Sequence, residues 1–301
     1  MKNIRDGVWV TMITPFKDDS KIDYAGVEAL VEWYINKGVD GIFAVCQSSE
    51  MFWLSFEERY ELAKFIIDIV KGRIEVIVSG NIEEDVNVQV KEARIFAGLS
   101  PDAVVFVSNR LENADMRFIE SVDKIIGAMP DDTALGIYEC PYPSKRLLTD
   151  GECEYLAKTG RFAFMKDTSC DIETMRRRAE IASGTKLKLY NANAATLYET
   201  LKSGYNGYCG VMANFHPDLY VWLYKNQNDK KAEKTERYLN VMSVIECRGY
   251  PYCAKRYLSL FEGFGINTAC RSDSGTATAA LGHELKALYD ISQEIRDYIE
   301  V

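Results

Sequence analysis

The sequence predicts an α/β protein, a (β/α)8 barrel with a C-terminal helical extension. Three observations predict it. Over roughly the first 225 of the 301 residues, short runs rich in Val, Ile and Phe alternate eight times with stretches of helical period. Such alternation implies a parallel sheet with helices packed outside it, and eight units in that length fit a closed barrel. No Gly-x-Gly-x-x-Gly turn follows any of the runs, which weakens the alternative, a doubly wound open sheet. The barrel is placed at residues 1–225 and the helical region, packed on it, at 226–301.

Each element has a local reason. Residues 8–16 read as a buried strand stopped at Pro15. Asp23 stands as the N-cap of a helix, with Val27, Leu30, Val31, Tyr34 and Ile35 on one face and Gly38 at its end. Strand two spans 41–46. After a loop, Ser55 and Glu58 form a capping box for a helix running to about Val70. Strand three spans 75–80, and the helix over 85–97 stops at Gly98. Strand four spans 103–108, and Asn113 opens a helix to about Met129. Strand five spans 134–140, with Thr149 and Glu152 as the next capping box and Gly160 as the stop. Strand six spans 162–166 and Asp171 caps its helix. Strand seven spans 186–190, and its helix ends at Gly204. Strand eight spans 207–212, before a helix near 217–225. Beyond Asp229 no strand is evident, and three further helices are expected.

Composition excludes several classes of function. A net charge of -9 and an isoelectric point near 5.0 leave no electrostatic footprint for nucleic acid. No apolar run approaches the roughly 18 residues of a membrane span, and the first ten residues lack a signal-peptide core. The eight cysteines form no Cys-x-x-Cys pair, so neither a zinc site nor a redox motif is indicated, and a reduced, cytoplasmic location fits. With only His216 and His283, a histidine triad or a His-rich metal site has no basis. No metal is expected.

The chemistry-bearing stretch is Phe162-Ala163-Phe164-Met165-Lys166-Asp167-Thr168-Ser169. Burial disfavours a charged amine, and a neutral amine attacks carbonyls. The plain alternative is a lysine that snorkels to solvent or pairs with Asp167. Upstream, Gly136-Ile137-Tyr138-Glu139-Cys140-Pro141 is a second strand ending in a proton-handling group. Neighbouring strands lie roughly 5 Å apart, so Tyr138 and Lys166 can share one pocket, and a phenol beside a cationic imine can shuttle protons. In a barrel the residues just past the strand ends face one pocket. Thr14, Gln47-Ser48-Ser49-Glu50, Cys209 and Asn214 join the candidates on that ground. The loop at 47–50 offers hydroxyls and backbone N–H groups able to cradle a carboxylate without an arginine. Simple packing is the alternative for Cys209.

Three motifs carry a resemblance. Gln47-Ser48-Ser49-Glu50 is similar to a Gly-(Ser/Thr)-Thr-Gly-Glu loop, Tyr138-x-x-Pro141 to Tyr-Asn-x-Pro, and Lys166-Asp167-Thr168-Ser169 follows 28 positions after Tyr138. Over nearly its whole length the chain resembles the dihydrodipicolinate synthase / N-acetylneuraminate lyase family of class I aldolases. The resemblance implies a homotetramer, a dimer of dimers, in which Lys166 forms an imine with pyruvate. It makes Tyr138 the proton shuttle and Ser48 a hydroxyl on the pyruvate carboxylate. No organic cofactor is implied.

The departures from the family pattern lie mostly away from that lysine. Cys46 and Ser49 replace the loop glycines, and Gln47 replaces a hydroxyl residue. The stretch Val107-Ser108-Asn109-Arg110 lacks the tyrosine that synthases send to a neighbouring subunit. Glu139 stands for the motif asparagine, and Arg146 is a displaced candidate for a synthase arginine. After strand seven, Asn191-Ala192-Asn193-Ala194-Ala195 lacks the acids with which lyases hold a sugar. The expected activity is therefore a Schiff-base lyase or aldolase acting on pyruvate or another 2-oxo acid, with a rewritten acceptor half. Gln47, Ser48, Ser49, Cys209, Arg146, Glu139 and Arg110 are the expected substrate-binding side chains. One arginine would hold an acceptor carboxylate, so an acidic or hydroxylated aldehyde is expected, with aspartate semialdehyde and N-acetylneuraminate poor substrates. The rivals are the 4-hydroxy-tetrahydrodipicolinate synthase of lysine biosynthesis and a barrel that binds a small acid without turnover.

Overall fold

The structure, a computed structural model, describes residues 3–114, 116–273 and 278–301. Eight parallel strands close in sequence order. They are β1 (Gly7–Thr11), β2 (Gly41–Phe43), β3 (Glu75–Asn81), β4 (Ala103–Val107), β5 (Leu135–Tyr138), β6 (Phe162–Asp167), β7 (Lys188–Asn191) and β8 (Gly207–Tyr208). Between them run α1 (Tyr24–Asn36), α2 (Phe56–Val70), α3 (Val86–Ala97), α4 (Phe118–Ala128), α5 (Asp150–Thr159), α6 (Ile172–Ala182) and α7 (Leu197–Lys202). The chain ends in α8 (Pro217–Lys225), α9 (Ala232–Met242), α10 (Tyr252–Phe261) and α11 (Leu281–Ile299). No helix among the described residues is long and apolar enough to cross a membrane.

The (β/α)8 barrel with its helical extension thus forms as the alternation predicts. β1, β4, β5 and β6 are buried on both faces, as strands covered by helices outside and by the barrel core inside must be. The capping boxes form as expected. Ser55 and Glu58 exchange bonds at the start of α2, and Thr149 and Glu152 do so at α5. Asp171 caps α6 through the Thr174 amide. Asp23 sits at the N-cap of α1 without a side-chain bond.

Several boundaries differ from expectation. β1 ends at Thr11 and not at residue 16, β2 ends at Phe43 and not at residue 46, ahead of the turn Gln47–Ser49, and β5 ends at Tyr138 and not at residue 140. α4 starts at Phe118, because the Asn113 side chain accepts the Met116 amide in a preceding turn and opens no helix. β8 ends at Tyr208, not at residue 212. The β1 carbonyl at Thr11 is instead met by the Asn214 side chain at 2.9 Å, so the ladder has no partner to extend along.

An aromatic plug fills the lower barrel. Trp9 meets Phe164 and Tyr190 edge-on at 5.5 and 5.8 Å. Phe164 stacks on Tyr190 at 4.4 Å, and Phe43 closes on Phe164 and Tyr138. Room for Trp9 is made at Gly41, where an added Cβ would sit 2.4 Å from its ring.

Candidate active site

The ladder itself assembles the site. Tyr138 of β5 is the direct register partner of Lys166 of β6. Partners in neighbouring parallel strands project to the same side, and here that side is the interior above the aromatic plug. The Lys166 Nζ lies 4.4 Å from the centre of the Tyr138 ring. The lysine is only 3% exposed and has no ion pair with a described residue, so it neither snorkels to solvent nor pairs with Asp167. The Tyr138 hydroxyl donates to Gln47 Oε1 at 3.3 Å, and the Cys140 thiol approaches the same oxygen. Burial pushes the Tyr138 phenol well above its ordinary range, and the nearby thiols add to this. The phenol is therefore a proton donor in the unliganded site, and its phenolate waits on a cation formed beside it.

The alternate residues point the other way. Glu139 and Asp167 face outward, where Arg178 of α6 bridges them. The guanidinium bonds Glu139 at 2.6 and 3.1 Å and Asp167 at 2.7 Å, and all three side chains are buried. Glu139 also accepts the Leu148 and Thr168 amides, and Asp167 accepts the Tyr205 hydroxyl at 2.6 Å. Desolvation drives the Glu139 carboxyl upward while Arg178 draws it back. The expectation that Glu139 binds substrate is thereby corrected. It ties strand ends to α6 behind the site.

Above Lys166 opens a cavity of about 710 Å³. Gln47 and Ser48 line it, with Tyr138 and Lys166 at its base. No described backbone carbonyl accepts from the amides of Gln47 and Ser48, the first two residues of the turn Gln47–Ser49. Four further expectations are corrected. Ser49 is fully buried and spends its hydroxyl on the Met12 and Ala44 carbonyls, both at 2.7 Å. Cys209 does not reach the cavity wall, and burial pushes its thiol up to about 12. Arg110 turns to Glu84 at 2.8 Å. Arg146 is held by Glu112 at 2.8 Å and Glu152 at 2.6 Å, over the Phe118 ring. Thr14 and Asn214 are likewise structural. Thr14 donates to the Ser49 carbonyl, while Asn214 joins Tyr34, Thr11 and Tyr250.

A family model for the dihydrodipicolinate synthetase family matches residues 5–290. The chain belongs to this family. Among curated relatives, it is 26% identical over 268 residues to the 4-hydroxy-tetrahydrodipicolinate synthase of Lachnoclostridium phytofermentans, covering 86% of this chain and 89% of that one. It is 26% identical over 278 residues to the same enzyme of Staphylococcus carnosus, covering 88% and 90%. Two solved structures share the fold. One is a prophage protein of the dihydrodipicolinic acid synthase family from E. coli K12 in complex with pyruvate, with TM-score 0.86, 21% identity and 96% and 98% coverage. The other is the dihydrodipicolinate synthase of Acinetobacter baumannii complexed with pyruvate, with TM-score 0.85, 22% identity and 96% and 99% coverage. As a member of the dihydrodipicolinate synthetase family, the protein is a lyase of the class I aldolase type.

At the corner after β4, Asn109 donates to the carbonyls of Cys140, Tyr142 and Ser144 within 2.9 Å. It clamps the loop after Tyr138 and leaves the Tyr138 hydroxyl to Gln47, whose amide cannot relay a proton as a hydroxyl does.

Sequence reasoning missed the upper wall of this dihydrodipicolinate synthetase family site. Trp53 and Tyr142 pack together at 5.0 Å and face the cavity, as do Thr168, Asn193, Glu246, Tyr250, Ser272 and Asp273. The last four come from beyond the barrel, so no strand-end rule finds them. The family-loop glutamate, Glu50, holds that segment down. Fully buried, it accepts Lys255 Nζ at 2.7 Å and the Arg271 and Ser272 amides at 2.6 Å. Arg271 in turn grips Glu58 and the Ser20 carbonyl. Among the described residues no cluster of His, Cys, Asp and Glu could hold a metal.

Proposed function

We propose that the protein forms an imine between Lys166 and the ketone of pyruvate, or of a closely related 2-oxo acid, and makes or breaks a carbon–carbon bond to an aldehyde. The observation that carries this reading is the register pairing of Tyr138 with Lys166 at the base of the cavity. The amine attacks the ketone carbon, and the resulting carbinolamine loses its hydroxyl as water, taking a proton from Tyr138. The iminium then stabilises the phenolate left behind, and the phenolate can remove a proton from the adjacent carbon to give the enamine that adds to the aldehyde. The amides and the Ser48 hydroxyl at the turn after β2 are the groups offered to the pyruvate carboxylate. The imine is the electron sink, so neither metal nor organic cofactor enters the scheme. Residues 226–301 are proposed as part of the same functional unit, since they supply one wall of the cavity. A cytoplasmic homotetramer is proposed on the family resemblance. The lysine-pathway synthase is less well supported, because no arginine among the described residues lines the cavity to receive the carboxylate of aspartate semialdehyde.

Borohydride reduction in the presence of pyruvate is expected to add one adduct, mapped by mass spectrometry to the peptide holding Lys166. The adduct is expected to disappear in Lys166→Ala, with turnover lost by on the order of 10⁴-fold or more, as for a covalent nucleophile. No adduct in the wild type, or one that survives the substitution, defeats the reading.

A further inference from the structure

The acceptor wall holds a carboxylate without a partner among the described residues. Glu246 lies in the turn Ser243–Cys247, between α9 and α10, and its side chain lines the cavity that Lys166 closes from below. It makes no hydrogen bond or ion pair with a described residue. Partial burial pushes its carboxyl upward, and the charge of Lys166 draws it back down. Across the described cavity wall Lys166 is the only basic side chain, and Asp273 is a second acid on the C-terminal side. Once Lys166 has passed from iminium to the neutral enamine that meets the acceptor, no cation remains among the described wall residues to receive an acceptor's carboxylate. A half-buried acceptor-only group left without a donor is costly, and a substrate hydroxyl supplies that donor.

We propose that Glu246 is the specificity-determining residue of the acceptor end. It accepts a hydrogen bond from a hydroxyl of an uncharged aldehyde and repels aldehydes that carry a carboxylate. This rests on the lyase reading above, and it narrows the acceptor from acidic or hydroxylated to hydroxylated alone. Thr168 and Asn193 flank the same space, but Thr168 already donates to the Glu139 carbonyl and the Asn193 side chain accepts the Thr196 amide of its own loop. Glu246 combines charge with a vacant hydrogen-bonding capacity and, unlike Lys166, is not consumed by the imine.

The test compares kcat/KM for glyceraldehyde and for glyoxylate, each with saturating pyruvate, in the wild type, Glu246→Gln and Glu246→Asp. Thermal unfolding checks that each variant is folded. The wild type should favour glyceraldehyde. Glu246→Gln should shift the glyceraldehyde-to-glyoxylate ratio toward glyoxylate by about 10–100-fold, the weight of one hydrogen bond to a charged group. Glu246→Asp, which keeps the charge, should hold most of the discrimination. A folded Glu246→Gln whose ratio moves by less than about twofold overturns the proposal, as does a wild type that prefers glyoxylate. If neither aldehyde turns over, calorimetric binding of glycerol and glycolate to the borohydride-reduced pyruvate adduct reads the same contrast. Equal binding of the two, or tighter binding of glycolate, also overturns it. Failure of the adduct to form strikes the lyase reading itself, whereas an adduct with an unmoved ratio strikes only the role of Glu246.

Discussion

The two ends of the cavity are built by different means. At the closed end, Tyr138 and Lys166 are brought together by the backbone ladder of β5 and β6. At the open end, Trp53, Tyr142, Glu246, Tyr250 and Asp273 arrive on loops and on the C-terminal segment, held by side-chain clamps such as Asn109 and Glu50. A ladder places its residues whatever the neighbouring side chains are. A clamp depends on a few named donors and acceptors, so exchanging them redirects a whole loop. The closed end can therefore keep one chemistry while the open end changes its partner.

Three measurements would break or sharpen that contrast. The largest effect is expected at the closed end. Tyr138→Phe should lower turnover by roughly 10²–10⁴-fold, the usual contribution of a positioned acid–base group, with the fold intact, and steady-state kinetics read this directly. Near-normal turnover would move the proton shuttle to another group. Next is the support behind the ladder. Arg178→Met leaves Glu139 and Asp167 facing each other without a buried cation, and should cost about 3–5 kcal/mol of unfolding free energy in urea titration. A loss under about 1 kcal/mol would show that the strand ends do not need that bridge. The smallest effect is expected at the open end. Glu50→Gln keeps one acceptor oxygen but turns an amide toward donors, which should loosen the segment at 269–272. The KM for the aldehyde should rise by about tenfold, on the scale of one charged hydrogen bond, while the KM for pyruvate moves by less than twofold. Equal changes in both would mean that the two ends are not separable.

The sequence made the barrel legible because each strand and most helix starts carry a local signal, such as the boxes at Ser55 and Thr149. The closed end followed, because position at a strand end fixes what faces inward. Glu139 was misplaced although the same rule covers it. With Tyr138 pointing in, its neighbour points out, where Arg178 waits 39 positions away. Arg110 and Arg146 were drawn off by Glu84, Glu112 and Glu152, and which surface acid captures an arginine depends on loop paths that no periodicity encodes. Glu246 had no sequence signal beyond a charge inside Val244-Ile245-Glu246-Cys247. Its place beside Lys166 comes from how the last helices pack, not from any pattern near either residue.

The aromatic plug of Trp9, Phe43, Phe164 and Tyr190 has a kinetic consequence. It packs the barrel beneath Lys166, so ligands approach the lysine from the side of the acceptor wall. In the proposed reaction the 2-oxo acid must board before the aldehyde when the bond is made, and depart after it when the bond is broken. An unreactive acceptor analogue lodged under Trp53 and Tyr142 would then act as a stopper, slowing both the arrival of pyruvate and its escape without touching the lysine.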